Sequence, residues 1–150
     1  MFDKILVPLD GSELAESILG YVGFIAAGCH ASEVVLLRVR GFLDPVAMKT
    51  MTAKMVEQIE EASTKEAEAY LQGISEALSK MNIHTRFQVL SGNPADEIIE
   101  YSRKNGIKLI VMSTHGRTGV SRLVWGSVAD KVLRSSTIPA LIIPPGNSPG

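Results

Sequence analysis

Several short runs of this chain are apolar on consecutive rather than alternate positions: residues 5–9 (Ile-Leu-Val-Pro-Leu), 34–37 (Val-Val-Leu-Leu), 109–112 (Leu-Ile-Val-Met) and 140–143 (Ala-Leu-Ile-Ile). A strand with one wet face alternates apolar and polar side chains. A continuously apolar strand is covered on both faces, as parallel strands are between two layers of helices. The intervals between these runs carry helical spacing, so strand and helix alternate along the chain. Such an order needs crossover connections, which are right-handed in nearly all known cases, and it specifies an α/β domain.

The helix signals support this reading. In Asp10-Gly11-Ser12-Glu13, Asp10 or Ser12 suits an N-cap and Glu13 suits a first turn, which starts a helix over residues 13–27 with Gly28 as its stop. A second strand spans 33–40. Beyond Gly41, Asp44-Pro45 marks another start, and Met48, Met51, Met55, Ile59 and Ala62 recur three or four apart, as expected of a stripe facing the core. Tyr70, Ile74, Ala77, Leu78 and Met81 form a second apolar face, with Ser63-Thr64 and Gly73 as candidate interruptions between the two. A third strand is expected over 83–90. Asn93-Pro94-Ala95-Asp96 then combines an N-cap, a proline at the first helical position and an early acid. After the fourth strand a helix is expected over 124–133, where Ser127 and Asp130 have the spacing of a capping box. The last strand is 140–143. Residues 1–145 make one domain and 146–150 a loose tail.

The expected architecture is therefore a single-domain, open, five-stranded parallel sheet with helices on both faces. In such sheets ligands sit outside the carboxyl ends of the strands, where the strand order reverses. Asp10 follows the first strand and Ser113 the fourth. If those strands are neighbours, both loops open into one crevice.

Charge narrows the partners. A formal net charge of −1 gives no overall drive toward nucleic acid or an anionic membrane, which leaves small molecules and proteins. No apolar stretch approaches the ~20 residues of a membrane helix. The single cysteine, Cys29, cannot form an internal disulfide, and the start of the chain lacks a leader pattern, so the cytoplasm is the expected compartment. His30, His84 and His115 lack the spacing of a metal site; a metal would arrive with phosphates, as Mg2+.

The stretch from Met112 to Gly119, closed by Gly126-Ser127, most needs a functional explanation. It joins a buried strand to a helix start through glycines, an arrangement that aims backbone N–H groups and the positive end of a helix dipole into one concavity. Arg117, Arg122, Lys131 and Arg134 stand there against Asp130 alone. A Walker loop is excluded, because no Gly-Lys-Ser/Thr triplet occurs. A dinucleotide fingerprint is excluded as well, because Pro8-Leu9-Asp10-Gly11-Ser12 follows the first strand. What remains is Gly116, Gly119, Gly126 and Ser127 with two nearby arginines, a set that suits phosphate but also an ordinary turn. Ser113, His115 and Asp10 can be drawn as a hydrolytic triad, yet no nucleophile elbow surrounds them.

On these residues the chain resembles the universal stress protein family over nearly its whole length. The likeness lies in Asp3 to Asp10, in Met112-Ser113-Thr114-His115-Gly116-Arg117, and in Gly126-Ser127-Val128 in register. The family's nucleotide motif is G-x-x-G, nine residues, then G-S/T. Here Gly116 is the second glycine, residues 117–125 are the nine, and Gly126-Ser127 completes the motif. Ser113 replaces the first glycine with the next smallest polar side chain.

The resemblance implies a Rossmann-like sheet of the adenine nucleotide alpha hydrolase type, strand order 3-2-1-4-5, and an adenine nucleotide, usually ATP, across the first and fourth strands. Asp10 would then face the adenine or ribose, and Pro8, Leu9, Val39 and Met112 would wall the base. Ser113, Thr114, Gly116, Arg117, Gly119, Gly126, Ser127 and Val128 would hold ribose and phosphates. It also implies a homodimer through the edge strand Ala140–Ile143. Three functions remain open at this point: an ATP-dependent regulatory switch, a nucleotide-free dimeric interaction module, and an ATP-using transferase. The spacing PP-loop enzymes require after the first strand is absent, and no residue stands out as a general base.

Overall fold

A computed structural model describes residues 1–114 and 126–144. Its strands are β1 (Lys4–Pro8), β2 (Glu33–Arg40), β3 (Thr85–Ser91), β4 (Leu109–Ser113) and β5 (Ala140–Ile143). They form one parallel sheet in the order β3-β2-β1-β4-β5, as expected. The helices are α1 (Glu13–Glu16), α2 (Leu19–Gly28), α3 (Pro45–Met48), α4 (Ala53–Ser79), α5 (Pro94–Lys104) and α6 (Ser127–Ser135).

The continuous apolar runs supply two cores. Ile5, Val7, Val34, Leu36 and Val111 face α1, α2 and α4, packing on Ala15, Ile18, Val22, Leu71 and Leu78. The intervening residues Leu6, Val35, Leu37, Ile110 and Met112 face α5 and α6, on Ala95, Ile98, Ala129 and Val132. The period of two along each strand thus sends alternate side chains into opposite cores, which is why no polar position interrupts them.

Local signals place most helix starts. Ser12 caps α1 by accepting from Ala15 N–H at 3.1 Å, and Asn93 caps α5 by accepting from Asp96 N–H at 3.2 Å with Pro94 at the first helical position. Each such cap contributes on the order of 1 kcal/mol.

Four expectations need correction. The helix expected over 13–27 is two helices, interrupted at Ser17-Ile18, so the Ser12 cap serves only α1. The stripe of Met48, Met55 and Ile59 does not face the core; these residues are 39, 46 and 37% exposed. Met48 closes the separate helix α3, and Met55 and Ile59 lie on the early part of α4, which has 27 residues, roughly 40 Å at 1.5 Å per residue, and outruns the sheet. Only its later part, through Ala67, Leu71 and Leu78, reaches the core, while Ala77 and Met81 of the second expected face are exposed. Neither Ser63-Thr64 nor Gly73 interrupts this helix; Thr64 donates its hydroxyl to the Glu60 carbonyl at 2.9 Å and stays in register. Finally, Ser127 and Asp130 form no capping box. Gly126 is the N-cap, and Asp130 accepts from Arg134 Nε at 3.0 Å one turn along. The tail beyond Ile143-Pro144 lies outside the described residues.

These burials separate two substitutions of like chemistry. Leu71→Ala, at a fully buried position, should cost about 2–5 kcal/mol. Ile59→Ala on the same helix should cost less than about 1 kcal/mol. Urea unfolding of both variants checks this, and equal losses would place Ile59 in the core after all.

Candidate functional site

The site begins with a step in the sheet. Pro8 pairs with Leu37 as the last residue of β1, but β2 continues through Arg38, Val39 and Arg40, paired with Val89, Leu90 and Ser91 of β3. On the other side, β1 pairs with β4 only at Ile5↔Leu109 and Leu6↔Ile110, while β4 runs on to Ser113. Leu9 N–H donates to the Leu37 carbonyl at 2.8 Å, so odd-numbered residues of β1 face β2 and even-numbered ones face β4. Pro8 faces β4 and has no N–H to give, and the ladder ends there. A cleft of about 550 Å³ opens at this reversal of strand order, within the usual range for a small-molecule site.

Of the residues expected at a ligand, Pro8, Leu9, Asp10, Val39, Met112, Ser113, Thr114, Gly126, Ser127 and Val128 all line this one cleft. Gly116, Arg117 and Gly119 lie outside the described residues, as do His115 and Arg122. The two loops that were expected to converge do so. Asp10 accepts from Ser12 N–H at 2.9 Å and from the Ser12 hydroxyl, forming a tight turn around Gly11, whose φ of +85° is in the left-handed region that glycine tolerates. At the second loop, Thr114 N–H donates to the Ile143 carbonyl at 3.2 Å, and Gly126 N–H donates to the Thr114 carbonyl at 2.7 Å. The chain therefore leaves β4 and re-enters α6 at nearly the same place. Gly126 and Ser127 head the nine-residue α6, so its unpaired N–H groups and positive dipole end border the cleft.

Sequence reasoning missed the wall opposite the glycines. Arg38, Arg40, Ser63 and Glu66 also line the cleft. The available signal was two arginines alternating with Val39 at the carboxyl end of an otherwise apolar strand. Their environments differ. Arg40 Nη2 pairs with Glu60 Oε2 at 2.8 Å and donates to Ser91 Oγ at 2.8 Å, while its Nε is buried with no partner among the described residues. Arg38 stacks on the ring of Tyr70 at 5.3 Å from the centroid. Its guanidinium also packs against the Asp10-Gly11 turn, where a Cβ on Gly11 would meet Nη1 at 2.3 Å. Among the described residues no three His, Cys, Asp or Glu side chains gather as a metal site.

Tyr70 supports this wall from behind. Its hydroxyl is buried without a hydrogen-bond partner among the described residues. Burial pushes the phenol pKa well above the ordinary tyrosine range, and the nearby Glu16 carboxylate, short of full hydrogen-bond geometry, pushes further in the same direction. Because the folded-state pKa is raised, the associated stability is complete below the unfolded value of 10.0 and falls as pH rises past it. Wild type and Tyr70→Phe should therefore gain the same phenolate absorbance up to about pH 11. A gain smaller by one tyrosine in the variant would show that Tyr70 ionises normally.

The profile described as the Universal stress protein family matches residues 1–144. The chain is 27% identical to universal stress protein MJ0577 of Methanocaldococcus jannaschii, over 99% of this chain and 98% of the relative. It is 29% identical to universal stress protein YxiE of Bacillus subtilis, over 95% and 99%. The solved structure of MJ0577, described as a structure-based assignment of biochemical function, superposes with a TM-score of 0.85 at 29% identity, covering 99% of each chain. Two more distant structures share the fold. One is a universal stress protein in complex with cAMP, with a TM-score of 0.69 at 18% identity over 95% of this chain and 96% of that one. The other is an Arabidopsis thaliana family member with AMP bound, with a TM-score of 0.67 at 12% identity over 95% and 92%.

Proposed function

This chain belongs to the universal stress protein family, and from that premise we propose that it is a regulatory protein that binds an adenine nucleotide in the cleft between β1 and β4. The observation that carries the reading is the placement of Gly126 and Ser127 at the N-terminus of α6, on the edge of a cleft that Pro8 opens at the reversal of strand order. Helix N–H groups and dipole at that point favour an anion. On the other side, Leu9, Val39 and Met112 offer apolar area of the kind a base covers. That relatives of the same fold are described with cAMP and AMP supports the same ligand class here.

In this reading Pro8, Leu9, Val39 and Met112 wall the base, and Asp10 faces the adenosine. Ser113, Thr114, Gly126, Ser127 and Val128 hold ribose and phosphates together with Gly116, Arg117 and Gly119. The nucleotide is ATP or another adenine nucleotide, arriving with Mg2+, and its presence sets a conformation or a partner choice. Two copies meet along β5, which among the described residues pairs with β4 on one side only and presents the half-exposed Leu141.

Denaturing the purified protein and separating the released small molecules by anion exchange should yield an adenine nucleotide. Mg-ATP added to stripped protein should raise its melting temperature. Gly126→Val puts a branched side chain on the cleft edge and should weaken ATP binding at least about 100-fold by calorimetry while the fold is retained; Ser113→Gly should preserve or tighten it. Unchanged affinity in Gly126→Val would show that the site lies elsewhere. No released nucleotide together with no thermal shift would leave the dimeric interaction module as the function, and rapid acceptor-dependent turnover would make the protein a transferase.

A further inference from the structure

Arg38 and Arg40 both line the cleft, but among the described residues only Arg40 has a carboxylate partner, Glu60. Arg38 forms no ion pair and no hydrogen bond among the described residues, and its contact there is the face of Tyr70. Arg38 is half-buried on the lining of the cleft. Two surfaces hold the guanidinium in place: the Tyr70 ring on one side and the Gly11 turn on the other. A cation fixed in this way has lost little freedom that a ligand would otherwise have to remove, and its planar set of donors matches phosphate oxygens.

The position of Arg38 gives the ligand its second requirement. Arg38 lies on β2 beside the turn that carries Asp10, with β1 between it and the Gly126-Ser127 edge, and its side chain leaves the sheet toward α4, on the face opposite Val39. It therefore stands at the adenosine end of the cleft, away from the helix N-terminus that suits the 5′ phosphates. A single 5′ chain leaves a cation there without an anion. Of the carboxylates around it, Asp10 accepts from the Ser12 amide and hydroxyl, Glu16 lies against the Tyr70 hydroxyl, and Glu66, on the same cleft wall, forms no ion pair with Arg38 among the described residues.

We propose that Arg38 is a specificity residue that takes a phosphoryl group on the ribose. The preferred ligand is then an adenine nucleotide phosphorylated at the 2′ or 3′ oxygen as well as at the 5′ oxygen. This rests on the nucleotide reading of the cleft given above.

The test compares AMP, adenosine 2′,5′-bisphosphate and adenosine 3′,5′-bisphosphate by titration calorimetry on the wild-type protein, on Arg38→Gln and on Arg38→Lys. In the wild type, one bisphosphate should bind about tenfold or more tightly than AMP, and which one identifies the oxygen that Arg38 reads. In Arg38→Gln the ratio to AMP should fall to within about twofold, and in Arg38→Lys, which keeps the charge but not the planar fork, it should lie between. Equal affinity for all three ligands in the wild type overturns the inference and leaves the nucleotide reading standing. A preference that survives Arg38→Gln, with circular dichroism showing a folded variant, overturns it too. Failure of all three to bind the wild type overturns both.

Discussion

Pro8 occupies the one position in the central strand where a missing amide matters most. Its neighbours along β1 alternate between β2 and β4 as hydrogen-bond partners, and the side Pro8 faces is that of β4. A residue with an N–H there would allow the ladder to continue and draw the two strands together toward their carboxyl ends. With proline the pairing stops at Leu6↔Ile110, and the strands part where the order of the sheet reverses. The rest of the site follows. The chain after β1 turns at Asp10-Gly11, β2 and β4 outrun β1 to make two walls, and α6 brings its N-terminus to the gap.

The sequence reveals the sheet well because both faces of each inner strand are dry. That condition writes itself as consecutive apolar residues, and β2 and β5 keep their expected bounds. The start of α5 is equally legible, since Asn93 and Pro94 act through local geometry that no distant contact overrides. Periodicity fails where it is asked for extent. Met48, Met55 and Ile59 are spaced as one core stripe, but Met48 ends α3 before α4 begins, and spacing says nothing about where the opposing sheet ends, beyond which the start of α4 extends. The Ser127-Asp130 pair fails for a different reason: a capping box needs its serine just outside the helix, and here Gly126 occupies that place.

Site residues divide along the same line. Those carried by motif, from Asp10 to Val128, come together in one cleft wherever they are described. Arg38 and Arg40 belong to no motif. Their significance comes from register, because only the three-residue overhang of β2 past β1 turns two strand side chains into a wall. One sequence neighbour apart from Val39, the two arginines also have opposite electrostatic situations, one tied to Glu60 and the other held on an aromatic face. Neither difference is visible without the partners on α4.

The 2.7 Å bond from Gly126 to the Thr114 carbonyl has a consequence for how such a domain can diversify. It closes the loop between β4 and α6 at its neck, so the two ends are anchored to each other and to β5 independently of what lies between them. Inserting or exchanging residues between those anchors costs little extra closure entropy, which grows only slowly with loop length. For the frame alone, changes between the anchors are therefore tolerated, and what holds nine residues between Gly116 and Gly126-Ser127 is the demand of a bound ligand rather than of the fold.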